Sequence, residues 1–90
     1  MKRDIITVLG KDTVGIIAKV CTYLSEHNIN ILDISQTIVQ DVFNMMMIVD
    51  LTKSDKEVRS IIDDLEVIGS NIGVRIQLQL EDIFNSMHRI

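Results

Sequence analysis

Ninety residues are enough for one domain, and a 47% hydrophobic content with three aromatic residues (Tyr23, Phe43, Phe84) leaves aliphatic and methionine side chains to fill its core. A formal net charge of −4 without any lysine or arginine cluster excludes the electrostatic footprint of a nucleic-acid binder. No apolar run is long enough to span a membrane, and the single cysteine, Cys21, excludes an internal disulfide and fits a reducing cytoplasm.

The N-terminus Met1-Lys2-Arg3-Asp4 lacks the small-residue cleavage site of a signal peptide. Residues 4–9 are rich in β-branched side chains and apolar on both faces, which predicts a strand in the middle of a sheet. Gly10-Lys11-Asp12-Thr13-Val14-Gly15 follows as a loop with two glycines and one carboxylate. Glycine permits positive φ and close approach of the backbone, and a helix starting near Val14 would aim its free N–H groups at the same space. The loop is therefore a candidate site for a small anion or zwitterion. Its spacing matches neither a dinucleotide fingerprint nor a Walker loop. Asp12 is equally suited to act as N-cap of the helix, accepting a bond from an amide two or three residues on.

Over residues 14–27 the period changes. Ile17, Val20, Cys21 and Leu24 stand at i, i+3, i+4, i+7 and predict an amphipathic helix ending near His27-Asn28. Residues 30–40 alternate, with Leu32, Ile34 and Ile38 on one face and Asp33, Ser35 and Thr37 on the other, as an edge strand would. Asn30 and Ile31 open that strand. After a turn near Asp41-Val42, residues 43–51 are apolar on both faces and predict a second central strand. Ser54-Asp55-Lys56-Glu57 reads as a capping box, and Val58, Ile61, Ile62, Leu65 and Ile68 continue it as a second helix. Val74, Ile76, Leu78 and Leu80 alternate with Arg75, Gln77 and Gln79 in a second edge strand, and a short helix is expected over 81–90.

Two right-handed crossovers on this βαββαβ order place the first and third strands in the centre of a four-stranded antiparallel sheet, order 4-1-3-2. The fold class is α+β, a ferredoxin-like sandwich with two helices on one face and a short C-terminal helix. The other face is open, and Met46 and Ile48 on it form a candidate partner surface. No catalytic grouping and no metal-ligand spacing stands out, so an enzyme is the minority expectation and no cofactor is implied. Cys21 reads as a small core residue, Met45-Met46-Met47 as core and interface filling, Asp63-Asp64 as solvated charge, and His27 and His88 as partners of helix-end carbonyls.

With that order in place, the sequence resembles an ACT domain, the ferredoxin-like module that binds amino acids and regulates metabolic enzymes. The resemblance covers residues 4–80. It rests on Gly10-Lys11-Asp12-Thr13-Val14-Gly15 between strand and helix and on Asn30-Ile31 at the start of the next strand. The sequence is similar to the ACT domains of the glycine-cleavage repressor and of formyltetrahydrofolate deformylase. The tail Asp82-Ile83-Phe84-Asn85-Ser86-Met87-His88-Arg89-Ile90 is similar to the ending of small free-standing bacterial ACT proteins. Thr13-Val14 stands where the family commonly has Arg-Pro, so the helix start lacks the φ that proline fixes.

The resemblance implies an ACT domain over residues 1–80, a helical extension over 81–90, and a homodimer. It implies a small-molecule ligand, an amino acid above all, held between one subunit's loop and the other's second strand. By position, Gly10, Lys11, Asp12, Thr13, Val14 and Gly15 would line one side, and Asn30 and Ile31 the other. The helix N-terminus would hold a carboxylate and Asp12 an ammonium. A protein partner would receive the signal. The rival expectation is a constitutive assembly module whose loop binds nothing. An acylphosphatase-like enzyme on this topology would need an arginine in the phosphate loop, and the Gly10 to Gly15 segment has none.

Overall fold

The elements follow the order β1 (Arg3–Lys11), α1 (Ile16–Glu26), β2 (Asn30–Val39), β3 (Val42–Asp50), α2 (Val58–Ile72) and β4 (Val74–Gln79) in the computed structural model, which describes residues 3–80. All strand pairs are antiparallel and the sheet runs β2-β3-β1-β4, the expected order read from the opposite edge. The helix expected over 81–90 lies outside the described residues.

Opposed residues in an antiparallel ladder share a face, so the register assigns the two sides of the sheet. Ile6, Val8 and Gly10 lie level with Met47, Met45 and Phe43 on one side and with Leu78, Ile76 and Val74 on the other. This is the helix-facing side. Ile6, Val8, Met45, Met47 and Val49 are fully buried there against Ile16, Val20 and Leu24 of α1 and Ile61 and Leu65 of α2. The opposite face carries Ile5, Thr7 and Leu9 beside Ile48, Met46 and Asn44. It is open to solvent, with Leu9 50% and Met46 44% exposed.

The apolar stripe of α1 differs from the sequence expectation. Its buried residues are Ile16, Val20, Tyr23 and Leu24, while Ile17 is exposed and Cys21 half-buried. The helix must face both the sheet and α2, and Tyr23 makes the second contact through its hydroxyl, which donates to Asp64 Oδ2 at 2.6 Å. Asp64 also accepts from Lys56 Nζ at 2.6 Å, so it is a bridge between elements and not plain solvated charge. Its neighbour Asp63 stays near Arg59, 3.8 Å away.

β2 also departs from simple alternation. A bulge between Ile31 and Asp33 takes Leu32 out of step, so that Ile34 and Ile38, opposite Met47 and Phe43, share the helix side with Ile31. The capping box is not formed. Ser54 Oγ accepts from Lys56 N–H at 3.1 Å in a local turn, and Glu57 is the N-cap of α2 with no side-chain cap bond. The hairpin between β2 and β3 turns through Gln40 and Asp41, both at positive φ (50° and 68°), the conformation that matches strand twist in a two-residue turn.

Candidate functional site

Gly10 belongs to β1 and not to the loop. It is paired with both Phe43 and Val74, and a Cβ there would lie 2.8 to 3.0 Å from Val74, its Cα included. The close approach of β4 requires glycine at this position. Lys11 ends the strand opposite Val42. The loop proper is therefore 12–15. Asp12 N–H donates to the Asp41 carbonyl at 2.8 Å, which ties the loop to the tip of the β2–β3 hairpin. Thr13 Oγ1 donates to the Lys11 carbonyl at 3.1 Å, and Val14 at the crest is 99% exposed.

Asp12 is not the N-cap of α1. That position is held by Gly15 at φ 92°, whose carbonyl accepts from Lys19 N–H at 3.0 Å, so the helix begins two residues later than Val14. Gly15 has no side chain to offer, no side-chain cap bond forms, and the first turn contains no acidic residue. The leading amides of α1 thus have no acceptor from a capping side chain, and exposed Asp12 precedes the cap by three residues.

Asn30 and Ile31 lie at the other end of the sheet. Asn30 is level with Asp50, which is level with Arg3 at the start of β1, whereas the loop follows Lys11 at its end. The nine residues of β1 separate them, on the order of 25–30 Å at the rise of an antiparallel strand. Within one chain the two halves of the expected site do not meet.

Asn30 and Ile31 instead line a cleft of about 570 Å³ together with Cys21 and Ser25 of α1, Asn28 and Ile29 of the following turn, and Lys53. Burial pushes the Cys21 thiol above its ordinary value, which keeps it neutral and makes it a small apolar wall. Two contacts join the turn after α1 to the turn after β3: Asp55 N–H donates to the His27 carbonyl at 3.3 Å, and His27 Nδ1 lies 2.9 Å from Asp55 Oδ1. The His27 side chain thus serves this latch and not the helix-end carbonyls; its ring also meets Tyr23 at 4.6 Å between centroids. Ser25, Asn28 and Lys53 were missed by sequence reasoning because they come together only through chain reversal. Among the described residues, no cluster of three or more His, Cys, Asp or Glu side chains is gathered for a metal ion, and no helix is long and apolar enough to cross a membrane.

Fold and loop together match known proteins along almost the whole chain. The family model described as ACT domain matches residues 4–79. The chain belongs to the ACT domain family. A UPF0237 protein of Bifidobacterium longum is 61% identical over 90 residues, all of both chains. An ACT domain protein from Streptococcus pneumoniae superposes with a TM-score of 0.81 at 36% identity, covering 97% of this chain and 98% of that one. A formyltetrahydrofolate deformylase from Pseudomonas syringae gives the same TM-score at 20% identity, over 88% of this chain and 27% of the deformylase, which is a likeness of fold. The Gly10 to Gly15 segment, of which 12–15 is loop, and Asn30-Ile31 at the start of β2 are the two segments on which the sequence resemblance rested.

Proposed function

We propose that this ACT domain protein is a cytoplasmic regulator that binds an amino acid or related small metabolite between two copies of the chain and passes the signal to a protein partner, without catalysing a reaction. The observation that carries this reading is the separation of Asn30-Ile31 from the 12–15 loop by the length of the sheet. A site using both needs a second copy to supply the missing half.

The β2 edge supports such pairing. It is ten residues long, contains one charged residue, Asp33, and has no proline or lysine to discourage strand addition. Ile34 and Ile38 are 44% and 52% exposed although they lie on the helix side, because the helices do not reach over this edge. A two-fold axis at Gln36 would set Ile34 of one copy against Ile38 of the other, and Ser35 against Thr37. With the bulge at Leu32, the same register carries Asn30 five ladder positions from the axis, two beyond the Val39–Val42 pair of the second copy, at the hairpin tip whose Asp41 carbonyl holds Asp12. The apolar match and the composite site thus call for one arrangement.

In that arrangement the uncapped start of α1 accepts the ligand's carboxylate, Asp12 accepts its ammonium, and Asn30-Ile31 of the second copy close the site. For such binding to carry information, ligand must favour one arrangement of the copies over another. A thermal-shift screen with the common amino acids, purines and folates tests this. A true ligand at 100-fold over its Kd adds about 2.7 kcal/mol of stability. Asp12→Ala and Asn30→Ala should each weaken the hit about tenfold or more, the loss of a charged or buried hydrogen bond. Undiminished affinity in both variants would place the ligand elsewhere, and a flat screen would favour the constitutive assembly module.

A further inference from the structure

The cleft beside Asn30 has a chemistry that the loop lacks. It is lined by the apolar Cys21, Ile29 and Ile31 and by the polar Ser25, Asn28, Asn30 and Lys53. Among the described residues, Lys53 is the one charged residue lining it, and no acidic residue does so. Lys53 makes no salt bridge among the described residues. Of the two acids nearest in sequence, Asp55 contacts His27 Nδ1 at 2.9 Å, and Asp50 is engaged first by Thr52, whose N–H and hydroxyl donate to Oδ1 at 2.9 and 2.5 Å, with only a weaker pull from Lys53. The position of Lys53 is not left to a loose turn. Ser54 N–H donates to the Leu51 carbonyl at 3.0 Å, and the Asp55–His27 contacts hold this turn against the one leading into β2.

We propose that this cleft takes the side chain of the bound amino acid and that Lys53 makes the site selective for an acidic one. The proposal rests on the composite site described above. With the carboxylate and ammonium of the ligand held at the loop of one copy, the remaining part points to Asn30-Ile31 of the other. The apolar lining accommodates the methylenes of a side chain. The same lining offers a cation and an amide, a pair of donors matched to a terminal carboxylate. A cationic side chain would meet Lys53 with like charge, and a long apolar one would strip water from it without return.

Isothermal titration calorimetry with the whole chain and L-aspartate, L-glutamate, L-asparagine and L-glutamine tests the proposal, because each acid differs from its amide only in the group Lys53 would read. One of the acids should bind at least tenfold more tightly than its own amide at low ionic strength, with the ratio shrinking as salt is added. Lys53→Gln should bring that ratio close to one, chiefly through loss of acid affinity, and Lys53→Arg should retain most of it. Lys53 is exposed, so the ligand-free unfolding midpoint of Lys53→Gln should equal that of the parent. Amides that bind as tightly as acids, or a preference that survives Lys53→Gln, overturn the assignment of Lys53 and leave the composite site standing. Silence with all four compounds and with every other amino acid overturns both.

Discussion

At the scale of single residues, the two glycines that frame the loop are required for different reasons. Gly15 adopts φ 92° with open space where a Cβ would stand, so alanine there meets only backbone strain, about 1–2 kcal/mol for a left-handed residue. Gly10 has an ordinary strand setting, but an added methyl would run into the Val74 backbone, and crowding of a packed core costs about 1–3 kcal/mol. Urea unfolding should show both Gly10→Ala and Gly15→Ala with lowered midpoints. Val74→Ala, which clears Cγ1, should recover part of the loss in Gly10→Ala and none in Gly15→Ala. A Gly10→Ala variant as stable as the parent would contradict the close approach of β4. The glycine pair was legible in the sequence as a signal, but its division of labour was not, because spacing does not reveal which strand comes close.

Among the elements, the contact between α1 and α2 depends on a short polar chain. Tyr23 donates to Asp64, and Lys56 donates to the same oxygen. Asp64 is held below the ordinary carboxylate value of 3.8, first by the Lys56 bond and then by that of Tyr23. Tyr23 is held above its ordinary value, first by burial and then by Asp64. The signs follow by linkage. The native carboxylate binds its proton more weakly than the unfolded one, so its contribution is present above pH 3.8 and lost as pH falls through the native value. The native phenol binds its proton more tightly, so its contribution is present below pH 10.0 and lost as pH rises further. Tyr23→Phe should therefore lower the urea midpoint at neutral pH and flatten its decline at both extremes. Equal slopes in parent and variant would remove the bond from any role in stability. Helix periodicity located α1 but put Ile17 where Ile16 lies. A stripe read against one flat surface has no means of including a second helix, and Tyr23 faces that helix.

At the scale of the molecule, the uncovered features are the β2 edge and the face carrying Leu9 and Met46. Backbone donors and acceptors along β2 favour an antiparallel copy of itself, and Ile34 and Ile38 are symmetric about Gln36. In a Cys21→Ser background, Gln36→Cys should form a disulfide between copies under mild oxidation, since paired strands bring Cα atoms to about 4.5–5.5 Å. Ile34→Cys alone should not, because its own counterpart would lie four residues away along the strand. The same two variants carrying Asn30→Ala should crosslink as their parents do if ligand contact and strand pairing are separate properties. Crosslinking at Met46→Cys instead would move the interface to the open face of the sheet.

Element order, strand types, the antiparallel sheet and the family were all readable along the chain. They depend on local periodicity, on the handedness of crossovers and on short motifs, which neighbouring residues specify among themselves. The bulge at Leu32, the role of Gly15 as helix cap, the bridge from Tyr23 to Asp64 and the cleft under Lys53 were decided only in three dimensions. Each depends on which distant segment packs against which, and one side chain's choice of partner over another there turns on a few ångströms that no spacing encodes. The separation of the loop from Asn30 belongs to the same class. Two segments that a family pattern names together stand at opposite ends of one sheet, and only the register of the strands says so.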